Sequence, residues 1–144
     1  MTKYYEDYHV GDRFETEARE MTEEAILRFA VEFDPQTFHT DIEAARATPV
    51  GRLIASGWHT ASTMMRLIVD SGFFKDTLGI GADELRWRRP VYPGDRLHVV
   101  GEVMDLRPSA SKPVGTMRVK LTTRNQDGEE VMTMVSIVQP RRRP

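Results

Sequence analysis

The sequence predicts an α+β fold, with one apolar helix lying on a curved antiparallel sheet. Three observations predict it. Two helical patterns with recognisable ends fill the first half, strand-like runs fill the second, and an Asp-Gly turn joins the last two runs. The chain has 144 residues, a length that fits one domain over 1–144 with a single core. No internal repeat, low-complexity segment or linker interrupts it.

The opening stretch, 8–21, is polar, with a turn at Gly11-Asp12 and room for a short strand over 13–17. Thr22 then reads as a helix N-cap, with Glu23 and Glu24 in the first turn where the helix dipole favours negative charge. Ile26, Phe29, Ala30 and Phe33 recur at helical spacing, which predicts an amphipathic helix over 23–33. Asp34-Pro35 ends it, because the residue before proline is pushed out of the helical region. A loop follows, after which Asp41 can cap a short helix over 42–46, and Thr48-Pro49-Val50-Gly51 is a break.

From Ser56 or Gly57 a longer helix runs to about Ser71, with Gly72 as its stop. Trp58, Ala61, Met65, Ile68 and Gly72 lie along one face of it, and its mostly apolar or small residues predict burial. Runs 84–89, 96–106, 116–125 and 131–138 then read as strands, the last three alternating. Leu97, Val99 and Val103 form one row, Met117, Val119 and Leu121 a second, and Val131, Thr133, Val135 and Ile137 a third. Tyr92-Pro93-Gly94-Asp95 is a turn, and Asp127-Gly128 supplies the positive φ a hairpin needs.

Composition excludes several classes of function. The formal net charge is −2, whereas nucleic-acid binding usually shows as a marked basic excess. Arg141-Arg142-Arg143 is terminal and reads as a solvated tail, able to reach a phosphate only if it folds back. Cysteine is absent, which removes disulfides, thiolate metal sites and cysteine nucleophiles. No His or acidic pair has ligand spacing, so no metal is expected. No apolar stretch reaches membrane-spanning length and the first seven residues lack a signal-peptide core, so no membrane partner and a cytoplasmic location are expected.

Chemistry concentrates in two places. Asp34 and His39 share a proline-broken loop, where a carboxylate can orient an imidazole or share a water with it. Equally, Asp34 could cap a turn and His39 sit on the surface. Ser56-Gly57 starts the long helix, whose free N–H groups could polarise a carbonyl. Gly57 could instead permit close packing, Ser56 act only as N-cap, and Ser62 be a packing hydroxyl. His59 reads as a satisfied core or interface histidine, while His9 and His98 have no visible partner. Arg86, Arg88 and Arg89 cluster on a strand, with Arg86 and Arg88 on one face and Arg89 on the other. Ion pairing with neighbouring acidic residues is the plainer reading for them; contact with a phosphate or carboxylate is the sharper one.

The order of these pieces resembles the MaoC-like dehydratases, which include the R-specific enoyl-CoA hydratases. The resemblance is carried by Asp34 and His39, by Leu53-Ile54-Ala55-Ser56-Gly57, and by the run from Leu85 through Arg86-Trp87-Arg88-Arg89-Pro90-Val91 to Gly94-Asp95. It spans about residues 8–138. It implies a hotdog fold, a curved antiparallel sheet wrapped around one long central helix, usually paired as a homodimer and possible as a higher homo-oligomer. It also implies reversible hydration of an enoyl-CoA thioester, with Asp34 and His39 activating water and the Gly57 N–H binding the thioester oxygen. Ser62 would match a supporting helix serine, Ser56 would lie beside the substrate, and no cofactor is implied beyond CoA as part of the substrate. This chain carries Gln36-Thr37 where the family usually has Asn-Pro, and Ser56 where it commonly has His. An acyl-CoA thioesterase on the same fold and a non-catalytic acyl-thioester binding protein are the alternatives.

Overall fold

The computed structural model describes residues 2–144. The helices begin and end where local chemistry dictates. Helix α1 (Glu23–Phe33) starts at Thr22, whose hydroxyl accepts from the Ala25 N–H at 3.2 Å, a cap worth about 1 kcal/mol. A four-residue helix α2 (Thr37–Thr40) follows, where the sequence predicts only loop. It is too short to show a period, and its Thr40 hydroxyl bonds back to the Gln36 carbonyl. Helix α3 (Ile42–Arg46) is capped by Asp41, which accepts from the Ala44 N–H at 2.9 Å. Helix α4 (Gly57–Ser71) is capped by Ser56 and ends at Gly72, where φ of +76° needs a residue without Cβ.

Strands β1 (Arg13–Glu15), β2 (Arg19–Glu20), β3 (Leu78–Trp87), β4 (Arg96–Pro108), β5 (Gly115–Arg124) and β6 (Glu130–Gln139) form one antiparallel sheet. Its order is β1-β4-β5-β6-β3, with β2 on β4 beside β1. The β5–β6 hairpin turns at Gly128, φ +75°, and the Asn125 side chain accepts from the Asp127 and Glu129 N–H groups. Leu97, Val99 and Val103 on β4 and Met117, Val119 and Leu121 on β5 are buried as predicted, against Met64, Leu67 and Ile68 of α4. Each such side chain contributes roughly 1.5–3 kcal/mol. The result is the hotdog arrangement, a curved sheet around α4.

Four expectations are corrected. On β6 the core row is Met132, Met134 and Val138, because Met134 pairs with Leu121 and Val138 with Met117. Of the predicted row Val131 and Thr133 are buried, while Val135 and Ile137 on the outer face are only half-buried. On α4 the buried face is Thr60, Thr63, Met64, Leu67 and Ile68, whereas Trp58 is 58% and Met65 47% exposed. Strand β3 begins at Leu78 rather than at Glu84 and stops at Trp87, so Arg88 and Arg89 lie beyond it. A bulge between Asp83 and Arg86 holds Glu84 at φ +54°, which costs roughly 1 kcal/mol for a residue with a side chain. The tail is not free either: Arg142 Nε lies 3.2 Å from Glu6, and Arg143 pairs with Asp7.

No helix among the described residues is long and apolar enough to cross a membrane.

Candidate active site

Asp34 and His39 meet because α1 ends and α2 begins within one tight bend. The Gln36 N–H donates to the Asp34 carbonyl at 2.8 Å and the His39 N–H to the Gln36 carbonyl at 2.9 Å. This bend turns the imidazole back on the carboxylate, and His39 Nε2 lies 3.3 Å from Asp34 Oδ2. His39 is almost wholly buried, with Phe38 edge-on to its ring. Its Nδ1 sits 2.7 Å from the Ile54 carbonyl, which can only accept, so Nδ1 carries the hydrogen. That leaves Nε2 as the nitrogen facing Asp34.

Both oxygens of Asp34 are engaged. Gln36 Nε2 donates to Oδ1 at 2.7 Å, and the Ser56 hydroxyl donates to Oδ2 at 2.7 Å. Burial alone would raise this carboxyl, but the Gln36 and Ser56 hydrogen bonds and the His39 charge outweigh it and hold Asp34 below its ordinary value. Asp34 is therefore kept as the anion, the form that can accept a proton.

Ser56 has no solvent contact. It accepts from the Trp58 N–H at 3.3 Å while donating to Asp34, so its hydroxyl is committed on both sides. Its place is behind Asp34, not at the cleft surface. Gly57 does line the cleft, and its N–H finds no acceptor among the described residues. Its carbonyl accepts from Trp87 Nε1 at 2.9 Å, and the indole lies so close that any Cβ on residue 57 would overlap it. The glycine thus serves both readings, close packing and an available N–H.

The cleft has a volume of about 470 Å³. Asp34 and His39 stand on one side, Gly57 at the helix start, and Trp87 with Arg88, Arg89 and Pro90 on the other. Trp58 and Trp87 meet edge to face at 5.0 Å between ring centres. Arg89 pairs with Glu129 at 3.0 Å, the ion pairing expected of it, and Arg88 Nε donates to the Thr133 hydroxyl at 3.1 Å. Arg86 and Ser62 lie outside this cleft. The Ser62 hydroxyl donates to the Trp58 carbonyl one turn back and borders a separate hollow beside α1.

Two cleft residues escaped the sequence reading. Gln36 looked only like a change in a loop, and Trp87 was read for the arginines around it. The indole hydrogen bond spans 30 residues, which no local pattern reports. His59 is packed face to face on Phe29, but its Nδ1 has no partner among the described residues. Burial, with Arg19 and Arg28 nearby, lowers it to about 4, so it is neutral near pH 7. His98 does find a partner, Glu15, at 3.4 Å. Among the described residues, no three His, Asp or Glu side chains converge as a metal site would require.

Comparison with known proteins bears on this site. A family model described as the MaoC like domain matches residues 7–125. A crystal structure of a MaoC-like dehydratase from Rhodospirillum rubrum superposes with a TM-score of 0.93 at 44% identity, over 99% of each chain. The R-hydratase PhaJ1 of Pseudomonas aeruginosa matches with a TM-score of 0.78 at 25% identity, over 97% of this chain and 86% of that one. The uncharacterised protein YdeM of Bacillus subtilis is 34% identical over 84% of this chain and 86% of its own length.

Proposed function

The chain belongs to the MaoC-like domain family, and on that footing we propose that it reversibly hydrates an enoyl-CoA thioester, acting as a cytoplasmic homodimer. One observation carries the reading: a carboxylate held as an anion and an imidazole 3.3 Å away face a cleft that also holds an unengaged helix N–H. A water in the cleft, beside Asp34 and His39, loses a proton to the pair as its oxygen adds to C3 of the enoyl group. The electrons of the double bond move to the thioester oxygen, where the Gly57 N–H stabilises the enolate. The pair then returns one proton to C2. One proton leaves the water and one reaches the substrate, so the enzyme ends as it began.

The proposed dimer rests on surface that one chain leaves uncovered. Among the described residues, strand β3 closes the sheet with no neighbour on its far side, and nearly all its residues are exposed, Leu78 and Ile80 among them. Trp58, Met65 and Val69 form an exposed apolar stripe along α4. An unpaired ten-residue edge strand is a template for a second strand.

The direct test follows the loss of enoyl-thioester absorbance over a panel of trans-2-enoyl-CoA substrates, for wild type, Asp34→Asn and His39→Ala. Each substitution should lower kcat/KM on the order of a hundredfold or more, as loss of a general acid–base group does. Wild type inactive on the whole panel, or variants as active as wild type, would sink the proposal.

A further inference from the structure

The outer face of the sheet carries many charges, and most are matched. Arg118 pairs with Asp83 at 2.8 Å, Arg124 with Glu130 at 3.4 Å, and Arg107 with Asp105 at 2.9 Å. Arg86, Arg88 and Lys120 are different: among the described residues none of them forms an ion pair. All three border a hollow of about 400 Å³, whose apolar lining includes Met104 and Val135 and whose one carboxylate is Glu84. Glu102 stands opposite Lys120 in the β4–β5 register and is not among the lining residues.

Two features build this hollow rather than leave it to chance. The bulge between Asp83 and Arg86 reshapes β3 at its rim, and Glu84 is held there in the left-handed region. Bulges commonly re-aim side chains beside functional sites. Arg88 is fixed by its hydrogen bond to Thr133, itself part of the lining, so one guanidinium is already oriented. Guanidinium forks suit phosphate oxygens, and a nearby ammonium adds a point charge.

The position of the hollow indicates what its anion belongs to. Arg88 borders this hollow and also the cleft that holds Asp34, His39 and Gly57. Strand β3 ends at Trp87, so a chain leaving the cleft can pass its end at Arg88 and reach the outer face. A CoA thioester has this layout, with its reacting carbonyl at one end, a flexible arm, and phosphates at the other. We propose that Arg86, Arg88 and Lys120 bind the phosphates of CoA on the outer face of the sheet while the acyl group lies in the cleft. This rests on the hydration reading for the acyl end. It selects CoA over a carrier whose single phosphate is covered by protein.

Two measurements test it on the full chain. The first is calorimetric titration with adenosine 3′,5′-bisphosphate, and separately with inorganic phosphate. Wild type should bind the nucleotide better than phosphate, and Arg86→Gln and Lys120→Ala should each weaken nucleotide binding on the order of tenfold, as loss of a charge-assisted contact does. The second compares kcat/KM for crotonyl-CoA and crotonyl-pantetheine. The preference of wild type for the CoA substrate should fall about tenfold in each variant, through KM. No nucleotide binding by wild type, or equal binding by wild type and both variants, would overturn the site, as would free phosphate binding as tightly as nucleotide. Absence of turnover on both thioesters would count against the hydration reading, and the titration would still decide the phosphate site.

Discussion

The bend that holds Asp34 and the strand that closes the sheet are opposites in how they are completed. Around Asp34 both carboxylate oxygens and the far nitrogen of His39 have partners within the chain: Gln36 and Ser56 on the carboxylate, the Ile54 carbonyl on His39. Along β3 one edge has none among the described residues, and the apolar side chains of Leu78 and Ile80 are exposed. The difference separates what one chain can do alone from what it prepares for an outside partner. Proton transfer needs groups fixed to a fraction of an ångström, and three hydrogen bonds supply that. A surface for association needs only shape and apolar area, which a bare edge and the Trp58–Met65–Val69 stripe provide.

Where the two regions touch, the contrast can be broken most severely. Trp87 ends β3 and caps Gly57, so the edge strand sets the position of the helix N–H that faces the substrate. Gly57→Ala forces its Cβ into the indole, and either Trp87 or the helix start must shift. We expect a loss of kcat/KM on the order of a hundredfold, comparable with removing an oxyanion donor. Trp87→Leu, combined with Gly57→Ala, should recover part of that loss because the smaller side chain vacates the space. Steady-state kinetics on the single and double variants decides it. A double variant no better than Gly57→Ala would show that the indole is not what makes glycine necessary.

The same contrast explains what could be read from sequence. Helices α1, α3 and α4 were legible to within about a residue because Thr22, Asp41, Ser56 and Gly72 are local signals acting on their own helix ends. Asp34 and His39 were legible as a pair because a single bend separates them. The third contact of the site was not, since the Ser56 hydroxyl reaches Asp34 across 22 residues. Strand β6 was seen as a strand but with its core row out of phase. Its residues from Val131 to Val138 are apolar or small hydroxyl on both faces, and only pairing with β5 chooses between them. The first half of β3 was missed because Gly79 and Gly81 dilute its β-propensity, and its pairing with β6 overrides that.

The edge itself offers a smaller effect. Ile80→Lys places a charge on the exposed strand, a device natural sheets use to prevent pairing. Sedimentation velocity should show a dimer for wild type and a shift toward monomer for Ile80→Lys and Met65→Glu, with circular dichroism unchanged. Because Ile80 and Met65 are roughly half exposed in the single chain, each substitution should change monomer stability by about 0.5 kcal/mol or less. Identical sedimentation of wild type and both variants would mean that β3 and α4 do not form the interface.

The smallest change sharpens the other side of the comparison. Ser56→Ala removes a buried donor to Asp34 and leaves the helix start without its cap, whereas Gln36→Ala removes only the more exposed donor. Both hydrogen bonds favour the carboxylate, so losing either raises the Asp34 pKa toward its ordinary value. The sign of the consequence is fixed. Activity needs the anion, and the acid limb of the kcat/KM profile should move to higher pH in each variant, further in the double. Stability moves in the same sense. The depressed carboxyl stabilises the fold above the unfolded-state pKa, and that contribution is lost as pH falls through the folded value. In the variants it shrinks, so the difference from wild type in Tm should be present at neutral pH and narrow below about pH 4. The full profile from acid to neutral pH separates this from simple loosening, which would lower kcat by one factor at every pH. An unmoved acid limb in both variants would show that Gln36 and Ser56 position Asp34 without setting its charge.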